Sequence, residues 1–363
     1  MSPPPIILPP TPSPAPRKSR GWMIFGLVVL VLFVFSMIEN FRQFVGGMNP
    51  INFSGYRTSA GPRLDEVIME DNDARNKIAV VAVEGIITSA RLDGDYSLAE
   101  LIKAQLKEAQ EDPKVKAVIL KVNSPGGEVL PSDEISKELA DFQTDQPAEG
   151  SLPARKGKPV IVSMGSLAAS GGYYVSAPCK WIVANEMTIT GSIGVIMESY
   201  NYRGLMDKVG LEPVVFKSGK FKDMMSGSRE PTEVTQEERD IMQNLINEVY
   251  GKFKSVVAAG RQGHKLAANW TDYADGRVLS GKEALALGFV DELGDFNDAV
   301  ERAKTIAGIG NANIVEYRAR RDLSDMLGLF GKSKVPAIKL DLGVEGPKLE
   351  AGQLYFLSST VVH

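Results

Sequence analysis

Short apolar runs alternate with amphipathic stretches through the middle of the chain. Strand-like runs rich in valine and isoleucine and helix-like stretches follow one another at 78–83, 97–110, 115–122, 132–142 and 160–164, and a small-residue helix is expected from about Ser170. Runs of this length are typical of buried strands, and the stretches between them are long enough for helices. The β-α-β-α order predicts an α/β fold with a largely parallel sheet.

Two helix starts further along the chain have their own sequence signals. Thr235 with Glu238 and Ser280 with Glu283 have the spacing of capping boxes, which mark the first turn of a helix. The first of these helices, at about 237–259, has one apolar face. That face is suited to packing or to contact between subunits.

The chain begins with a proline-rich tail and an uncharged apolar run. Residues 1–21 contain no acidic residue and are predicted to be a disordered tail. Residues 22–38 are predicted to form one transmembrane helix, at the short end of what spans a bilayer. The alternative is a cleaved signal peptide, which would have a shorter apolar stretch and a small-residue cleavage site. Basic residues before the helix predict a cytoplasmic N-terminus in the cytoplasmic membrane, with everything after residue 39 outside.

The remaining segments divide by composition. Residues 39–76 are mixed in polarity and are expected to be a linker or lead-in, and 77–318 form the main domain. The polar stretch 143–158 is expected to be a surface loop. The C-terminal tail, 319–363, lacks a periodic pattern until a short apolar run at 353–357. The tail is therefore either flexible or adds a strand to another element, and a strand that lies in a cleft like a substrate is one form of the second alternative.

Composition narrows the possible functions. The 363 residues are 44% hydrophobic and 24% charged, as in an ordinary globular protein with one large domain or two small ones. The net charge of −4 gives no basic footprint, so nucleic acid is not an expected partner. One cysteine, Cys179, excludes a disulfide within the chain. Only His264 and His363 are present, so no metal site and no cofactor are expected.

Two glycine-bearing segments, 123–127 and 168–174, each follow a predicted strand. They fall at the carboxyl ends of the strands, where open α/β sheets bind ligands. A serine that opens a helix there is close to exposed amides, which favour developing negative charge. Ser170 fits this position, and the amide of Gly171 with that of Gly126 or Gly127 would make an oxyanion hole.

Other serines and several bases compete for the catalytic roles. The competing serines are Ser163, Ser166 and Ser176, of which the first lies in a predicted strand and the last inside a predicted helix. A Ser-His-Asp arrangement would need His264 or His363 as its base. Lysine is the other common base when burial lowers its pKa. The candidates are Lys217, Lys220 and Lys222, among which spacing does not choose, and each has the alternative of being a solvated surface lysine.

Five ordered motifs resemble one known family. They are Asn-Ser-Pro-Gly-Gly at 123–127, Met-Gly-Ser-Leu-Ala-Ala-Ser-Gly-Gly-Tyr-Tyr at 164–174, Thr-Gly-Ser-Ile-Gly-Val-Ile at 190–196, Ser-Gly-Lys-Phe-Lys-Asp-Met at 218–224 and Asp-Gly-Arg-Val at 275–278. In order and spacing they resemble the signal peptide peptidase A group of serine peptidase family S49, over about residues 77–318. The resemblance identifies 77–318 as an S49 peptidase domain.

The resemblance implies a role for each matching residue. Ser170 would be the nucleophile and Lys222 the general base. Gly127 and Gly171 would be the oxyanion donors, and Ser192 would orient the lysine. Because a neighbouring carboxylate would raise the pKa of the lysine, Asp223 is expected to point away from Lys222.

The resemblance also implies an architecture and a substrate class. The fold would be of the ClpP/crotonase type, in a short form with one catalytic unit per chain. Subunits of this kind share catalytic residues in a ring-shaped homo-oligomer, in which a neighbour's Lys222 completes the site. The substrates would be remnant signal peptides and other apolar peptides at the membrane. The competing interpretations are an acyl-CoA hydratase or isomerase of the crotonase type and an inactive membrane scaffold of the same fold.

Overall fold

The computed structural model describes residues 62–92, 96–148, 154–319 and 354–357, with 29–30, 32–33 and 36 of the N-terminal segment. The chain divides into two compact units, Met1–Ala60 and Gly61–His363. The predicted tail at 1–21 lies outside the described residues, as does most of the predicted transmembrane helix at 22–38. Among the residues that are described, no helix is both long enough and apolar enough to cross a membrane.

One mixed sheet organises the second unit. Its strands are β1 (Leu64–Glu70), β2 (Lys77–Glu84), β5 (Val115–Ser124), β7 (Val160–Ala169), β8 (Trp181–Ala184), β9 (Ile189–Gly191), β10 (Val278–Ser280), β11 (Glu292–Leu293) and β12 (Asn313–Ala319). The main path runs β1-β12-β2-β5-β7-β8-β11, and β9 joins β7 to β10. All pairs are parallel except β1 with β12 and β9 with β10. The predicted α/β fold with a largely parallel sheet is confirmed.

Four short strands lie outside this sheet in the described part of the chain. They are β3 (Arg91–Leu92), β4 (Tyr96–Ser97), β6 (Gly126–Glu128) and β13 (Tyr355–Leu357). Strands β3 and β4 pair with each other, and β13 pairs with β6. The second of these pairs lies beside the candidate site described below.

Seven helices and two 3₁₀ turns complete the described elements. The helices are α1 (Leu98–Glu111), α2 (Val129–Gln143), α3 (Gly171–Ser176), α4 (Arg203–Val209), α5 (Gln236–Gly260), α6 (Gly281–Leu287) and α7 (Phe296–Ala307). The 3₁₀ turns are Pro231–Glu233 and Trp270–Tyr273. Both predicted capping boxes are confirmed, with Thr235 and Ser280 as the N-caps of α5 and α6.

The central strands are buried on both faces because layers of helices cover each face. In β2, Ala79 and Val81 face one hydrophobic cluster, whereas Ile78 and Val80 face the other. Helix α7 contributes Ala299 to the second cluster. This two-sided burial explains the nearly continuous apolar runs in the sequence, which are typical of parallel strands.

Strand β1 lies within the segment 39–76, which was expected to be a linker or lead-in. It pairs antiparallel with β12 at the edge of the sheet. Most of its residues are exposed, including Ile68 and Met69. Backbone hydrogen bonds to β12, and not burial of one face, therefore hold β1 in the sheet. Because neither face is buried, the strand has no alternating hydrophobic pattern.

A buried charge cluster lies at the amino end of β8. Arg261 is fully buried and its Nη2 contacts Oδ1 of Asp291. The same carboxylate lies 2.7 Å from Nδ1 of His264 and accepts a 2.8 Å hydrogen bond from the amide of Ile182. Asp291 is thus the group that compensates the buried guanidinium.

We expect Asp291→Asn to lower the free energy of unfolding by about 3–5 kcal/mol, because it leaves the buried Arg261 charge uncompensated. The matched control is Asp207→Asn, which breaks the exposed ion pair with Arg203 (2.7 Å) and should change stability by less than about 1 kcal/mol. Urea unfolding followed by circular dichroism measures both. Equal losses in the two variants would contradict the structural role assigned to Asp291.

Candidate active site

Two parallel strands, β5 and β7, end at the same edge of the sheet, and glycine-rich backbone follows each of them. A Cβ atom added to Gly171 would lie 2.9 Å from Oγ of Ser132, 3.0 Å from Cα of Gly126 and 3.1 Å from the amide nitrogen of Gly127. No side chain fits at this crossing without a shift of its neighbours. The two glycine segments therefore bring backbone amides together at one point.

Ser170 occupies a strained turn between β7 and α3. Its backbone has φ +53° and ψ −116°, a conformation that non-glycine residues rarely adopt and that costs about 1–3 kcal/mol. Two backbone hydrogen bonds of 2.8 Å hold it, from its amide to the carbonyl of Gly191 and from the amide of Tyr174 to its carbonyl. A strained strand-to-helix turn is a common way to present a nucleophilic serine.

The Ser170 hydroxyl is buried and has no hydrogen-bond partner among the described residues. The competing serines differ from it. Ser163 and Ser166 lie within β7, and Oγ of Ser176 donates to the carbonyl of Gly172 at 2.7 Å. A buried hydroxyl without a partner is uncommon because it loses its hydration, and such groups are often functional.

The amides near Ser170 are not equally available. The Gly126 amide donates to Oγ of Ser124 at 3.1 Å. The Gly126 carbonyl and the Glu128 amide both pair with Ile87, so the amide of the intervening Gly127 points to the opposite side of the strand. Between the two glycines that the sequence left open, the geometry favours Gly127. Its role as an oxyanion donor together with Gly171 stays a prediction.

Ser192 lies next to Ser170 because β9 runs parallel to β7, with Gly191 opposite Ala169. It is buried and has a positive φ of 51°. Its amide donates to the carbonyl of Arg277 at 2.7 Å. The sheet therefore places a second strained serine beside the first, and its proposed effect on the lysine stays a prediction.

The three candidate lysines have different surroundings. Lys217 pairs with Asp223 at 2.7 Å, and Lys220 pairs with Glu237. The structure gives the exposed Lys222 no charged partner among the described residues, and it records no contact between Lys222 and Ser170. Lys217 beside it lowers the pKa of Asp223, so that carboxylate is engaged away from Lys222, as expected.

His264 is held at the opposite edge of the sheet from Ser170. The carboxylate of Asp291, its partner, accepts a hydrogen bond from the amide of Ile182 at the start of β8. Ile182 pairs in the sheet with Val162, near the start of β7. Ser170 lies eight residues further along the same parallel direction, about 26 Å at 3.3 Å per residue. His264 is thus unsuited to be the base for Ser170.

In the part of the chain described, no group of three or more His, Cys, Asp or Glu residues could hold a metal ion.

Strand β13 covers the candidate site. It pairs antiparallel with β6, with Phe356 opposite Gly127. On its other side, the amide and carbonyl of Tyr355 exchange hydrogen bonds of 3.1 Å with Ile196. Of the two alternatives for the C-terminal tail, residues 355–357 form a strand. The sequence signal was only the short apolar run, which did not indicate β6 or Ile196 as the partner.

Comparisons with known proteins point to one family. A family model described as peptidase family S49 matches residues 153–310. A protein of Enterococcus faecium, provisionally named signal peptide peptidase SppA, is 36% identical over 259 residues, which is 70% of this chain and 71% of that protein. Protease 4 of Haemophilus influenzae is 36% identical over 261 residues, covering 72% of this chain and 39% of its own. Serine protease SPPA, chloroplastic, of Arabidopsis thaliana is 30% identical over 269 residues, covering 72% and 37%.

One solved structure, a mutant of the 1510-N membrane-bound stomatin-specific protease, aligns with a TM-score of 0.42 at 15% identity. The alignment covers 67% of this chain and 98% of that one. The family membership rests on the sequence relatives alone.

We expect Ser170→Gly to stabilise the protein while abolishing peptide hydrolysis. Glycine adopts φ +53° without strain and removes a buried hydroxyl that has no partner in the part of the chain that the structure describes, so the free energy of unfolding should rise by about 1 kcal/mol. Thermal unfolding should show a midpoint about 2–4 °C higher. A lower midpoint would show that the turn is not strained in solution.

A methyl group at the glycine crossing should impair catalysis. Gly171→Ala places a Cβ about 3 Å from the backbone of Gly126 and Gly127, and a displacement of catalytic amides by up to 1 Å lowers kcat about 100-fold. The control is Gly251→Ala in the middle of α5, where no atom lies within 4 Å of the new Cβ. That change should leave kcat unaltered and stabilise the fold by roughly 0.5–1 kcal/mol. An active Gly171→Ala variant would argue against the crossing as the catalytic centre.

Proposed function

Because the chain belongs to peptidase family S49 and is a serine peptidase, we propose that it is a membrane-anchored endopeptidase with a ClpP/crotonase-type fold and a Ser170/Lys222 dyad. Its substrates are remnant signal peptides and other apolar peptides. The observation that carries the proposal is the buried Ser170 hydroxyl, which has no partner among the described residues and lies on a strained turn beside the amides of Gly127 and Gly171. No metal and no cofactor take part in this reaction.

The reaction is an acyl transfer in two steps. Neutral Lys222 takes the proton of the Ser170 hydroxyl as Oγ attacks the carbonyl carbon of the peptide. The amides of Gly127 and Gly171 stabilise the oxyanion, and the C-terminal part of the peptide leaves as an amine. The same lysine then activates the water that hydrolyses the acyl-enzyme. Each oxyanion donor typically contributes about 10²–10³ in rate.

Lys222 is the best supported base among the three lysines. Lys217 and Lys220 are engaged in ion pairs with Asp223 and Glu237. Lys222 has no such partner in the described residues, but it is exposed, whereas a lysine base has to be desolvated. A neighbouring subunit that covers this surface would supply both the desolvation and a serine for Lys222 to act on.

The surface that precedes Lys222 is suited to such an interface. Its exposed apolar side chains are Tyr200, Tyr202, Leu205, Val209, Leu211, Val214, Val215 and Phe216. Phe216 has the most exposed side chain of this segment, at 95%. Soluble monomers rarely expose so many large apolar residues in one segment. Contact between copies in a ring-shaped homo-oligomer would bury this segment and bring Lys222 to a neighbour's Ser170.

Arg229 fixes the segment that carries Lys222 to the start of α5. Its Nη1 lies 2.6 Å from Glu238 and 3.7 Å from Asp223, and its Nη2 donates to the carbonyl of Glu233 at 2.7 Å. This guanidinium lowers the pKa of Glu238 to about 2. Because the folded-state pKa lies below the usual value, the contribution of this pair is present above about pH 4.5 and is lost only as the pH falls toward 2.

Substitution at the dyad should abolish hydrolysis of a fluorogenic apolar peptide. Ser170→Ala removes the nucleophile and Lys222→Ala removes the base. Lys222→Arg keeps the positive charge but stays protonated, so it should be as inactive as Lys222→Ala. The matched control, Lys220→Ala, breaks only a surface ion pair and should retain activity. Activity in Lys222→Arg would show that the lysine is not the base.

Mixing two inactive variants tests whether Lys222 acts across subunits. If it does, Ser170→Ala chains mixed with Lys222→Ala chains should regain activity, because some interfaces then combine an intact serine with an intact lysine. The mixture is to be dissociated and reassembled before assay. Each variant mixed with itself is the control. No recovery in mixed oligomers would place both residues of the dyad in one chain.

The N-terminal anchor has its own test. The proposal places the chain in the cytoplasmic membrane with its N-terminus in the cytoplasm and residues after 39 outside. The full chain should remain in the membrane fraction after alkaline carbonate extraction, and a chain lacking residues 1–38 should be released. Release of the full chain would remove the anchor from the proposal, while leaving the peptidase activity unaffected.

A further inference from the structure

We propose that an acidic pocket between the last turn of α1 and the edge strands β1 and β12 binds an alkylammonium group, carried by a free polyamine or by a lysine side chain of a peptide. The acidic pocket is a cavity of about 370 Å³ lined by Leu64, Glu66, Glu108, Glu111, Asp112 and Tyr317. This volume is in the lower part of the range of small-ligand sites. The inference goes beyond the proposed function.

The walls of the acidic pocket are fixed to one another by hydrogen bonds. Glu66 of β1 is opposite Tyr317 of β12, and Nε2 of Gln105 in α1 donates to the Tyr317 carbonyl at 2.7 Å. Nζ of Lys77, at the start of β2, donates to Glu66 at 2.6 Å and to Asp112 at 3.0 Å. The helix and the strands that line the pocket therefore hold a defined arrangement before any ligand binds.

The Tyr317 side chain brings a hydroxyl without a partner to this pocket. The residue is only 4% exposed, and its Oη is buried and makes no hydrogen bond with any described residue. Burial raises the pKa of Tyr317, and the negative charges of Glu66, Asp112 and Glu108 raise it further. Since these three carboxylates line the pocket, the hydroxyl end of the ring is the end directed toward them. A ligand with N–H donors would give this desolvated oxygen a hydrogen bond.

The carboxylates of the acidic pocket outnumber the cations that reach them. Lys77 is shared between Glu66 and Asp112. Glu111 is 3.9 Å from Lys107, in a pair whose two side chains are both more than 60% exposed. Glu108 has no ion-pair partner within the part of the chain that the structure describes. A concave site with surplus negative charge raises the local concentration of cations, so a ligand with more than one positive charge is favoured.

Three of these carboxylates lie at the end of α1 that disfavours them. Glu108 and Glu111 are in the last turn, which contains no basic residue, and Asp112 is the C-cap. The C-terminus of a helix has partial negative charge, which repels carboxylates and attracts cations. Nζ of Lys158 bonds three carbonyls at this helix end, at 2.6–3.1 Å, and so has no N–H donor left for a carboxylate. A bound cation would relieve this repulsion.

The lining groups are suited to an ammonium group on a carbon chain. An ammonium has three N–H donors and no acceptor, and the pocket offers it carboxylate oxygens and Oη of Tyr317. Leu64 provides an apolar surface for methylene groups. The cavity is much larger than a single metal ion, so it has room for the carbon chain that separates two charged groups.

The acidic pocket is remote from the candidate active site. Lys77 begins β2 and Asp112 precedes β5, so the pocket lies toward the amino ends of these parallel strands. Ser170 follows the carboxyl end of β7, which runs parallel to β5. Binding at the pocket can therefore be measured directly, and its result does not depend on whether the chain hydrolyses peptides.

Calorimetric titration of the full chain, in a non-ionic detergent at fixed ionic strength, tests the inference. Spermidine should bind at one site per chain, whereas triacetylspermidine, which has no ammonium group, should not bind. Tyr317→Phe keeps the ring and Glu108→Gln changes an exposed side chain, so both variants should fold, and each should weaken spermidine binding about tenfold. The matched control is Glu248→Gln, which removes one exposed carboxylate from α5 and should bind spermidine as the original chain does.

A tripeptide with a central lysine and blocked ends separates the two sources of the ammonium group. If it binds as tightly as spermidine, and its acetyl-lysine form does not bind, the ligand is a peptide side chain. If spermidine alone binds, the ligand is a free polyamine. Unchanged spermidine affinity in either Tyr317→Phe or Glu108→Gln would overturn the inference. So would the absence of binding by both ligands, or displacement of spermidine by Mg²⁺ as effectively as by a second polyamine.

Thermal unfolding provides a second measurement on the same variants. Spermidine should raise the midpoint of the original chain and of Glu248→Gln, because a ligand that binds only the folded state stabilises it. The midpoint of a chain with both Tyr317→Phe and Glu108→Gln should not respond. An equal rise in the double variant would show that spermidine binds elsewhere and would contradict the assignment of the pocket.

Discussion

The structure of the site depends on one close approach of backbone to backbone. Gly126, Gly127 and Gly171 meet at the carboxyl edge of the parallel sheet, where a single Cβ atom would collide with main-chain atoms. Because no side chain separates the two segments, the amides of both can point at one small volume. The same packing fixes the first turn of α3, and with it the strained backbone of Ser170. Strain of this kind persists only when the surrounding hydrogen bonds over-determine the conformation, as the bonds to Gly191 and Tyr174 do here.

The parallel sheet aligns the segments of the candidate site, and the turns after its strands carry the candidate residues. Strands β5, β7 and β9 run parallel, so the residues that follow them arrive at one edge, and Ser170 and Ser192 become neighbours for that reason. The buried cluster of Arg261, Asp291 and His264 lies at the other edge of the sheet, away from Ser170. The structure holds Ser170 in place but leaves Lys222 exposed. A second copy that covers the apolar segment before Lys222 would provide the low-polarity surroundings that a lysine base needs.

The sequence was informative where the structure depends on local patterns. The buried strands, the capping boxes of α5 and α6 and the placement of Ser170 at a strand end could all be predicted, because periodicity and short motifs determine them. Strand β1 was missed because its pairing to β12 uses backbone and leaves its side chains exposed. The partner of β13 could not be foreseen, since a pairing between residues so distant in sequence leaves no local pattern. The choice between Gly126 and Gly127 required the hydrogen bond to Ser124. In the proposed oligomer, the surroundings of Lys222 depend on a neighbouring copy.

The measurement that tests the central claim most directly is a crystal structure of the full chain after reaction with a fluorophosphonate, which reports the nucleophile, the oxyanion donors and the base together. The account predicts a covalent bond from phosphorus to Oγ of Ser170, with a phosphonyl oxygen about 2.7–3.1 Å from the amide nitrogens of Gly127 and Gly171. It also predicts Lys222 of a second copy beside the adduct. An adduct on a different residue, or a phosphonyl oxygen directed away from both amides, would contradict the account.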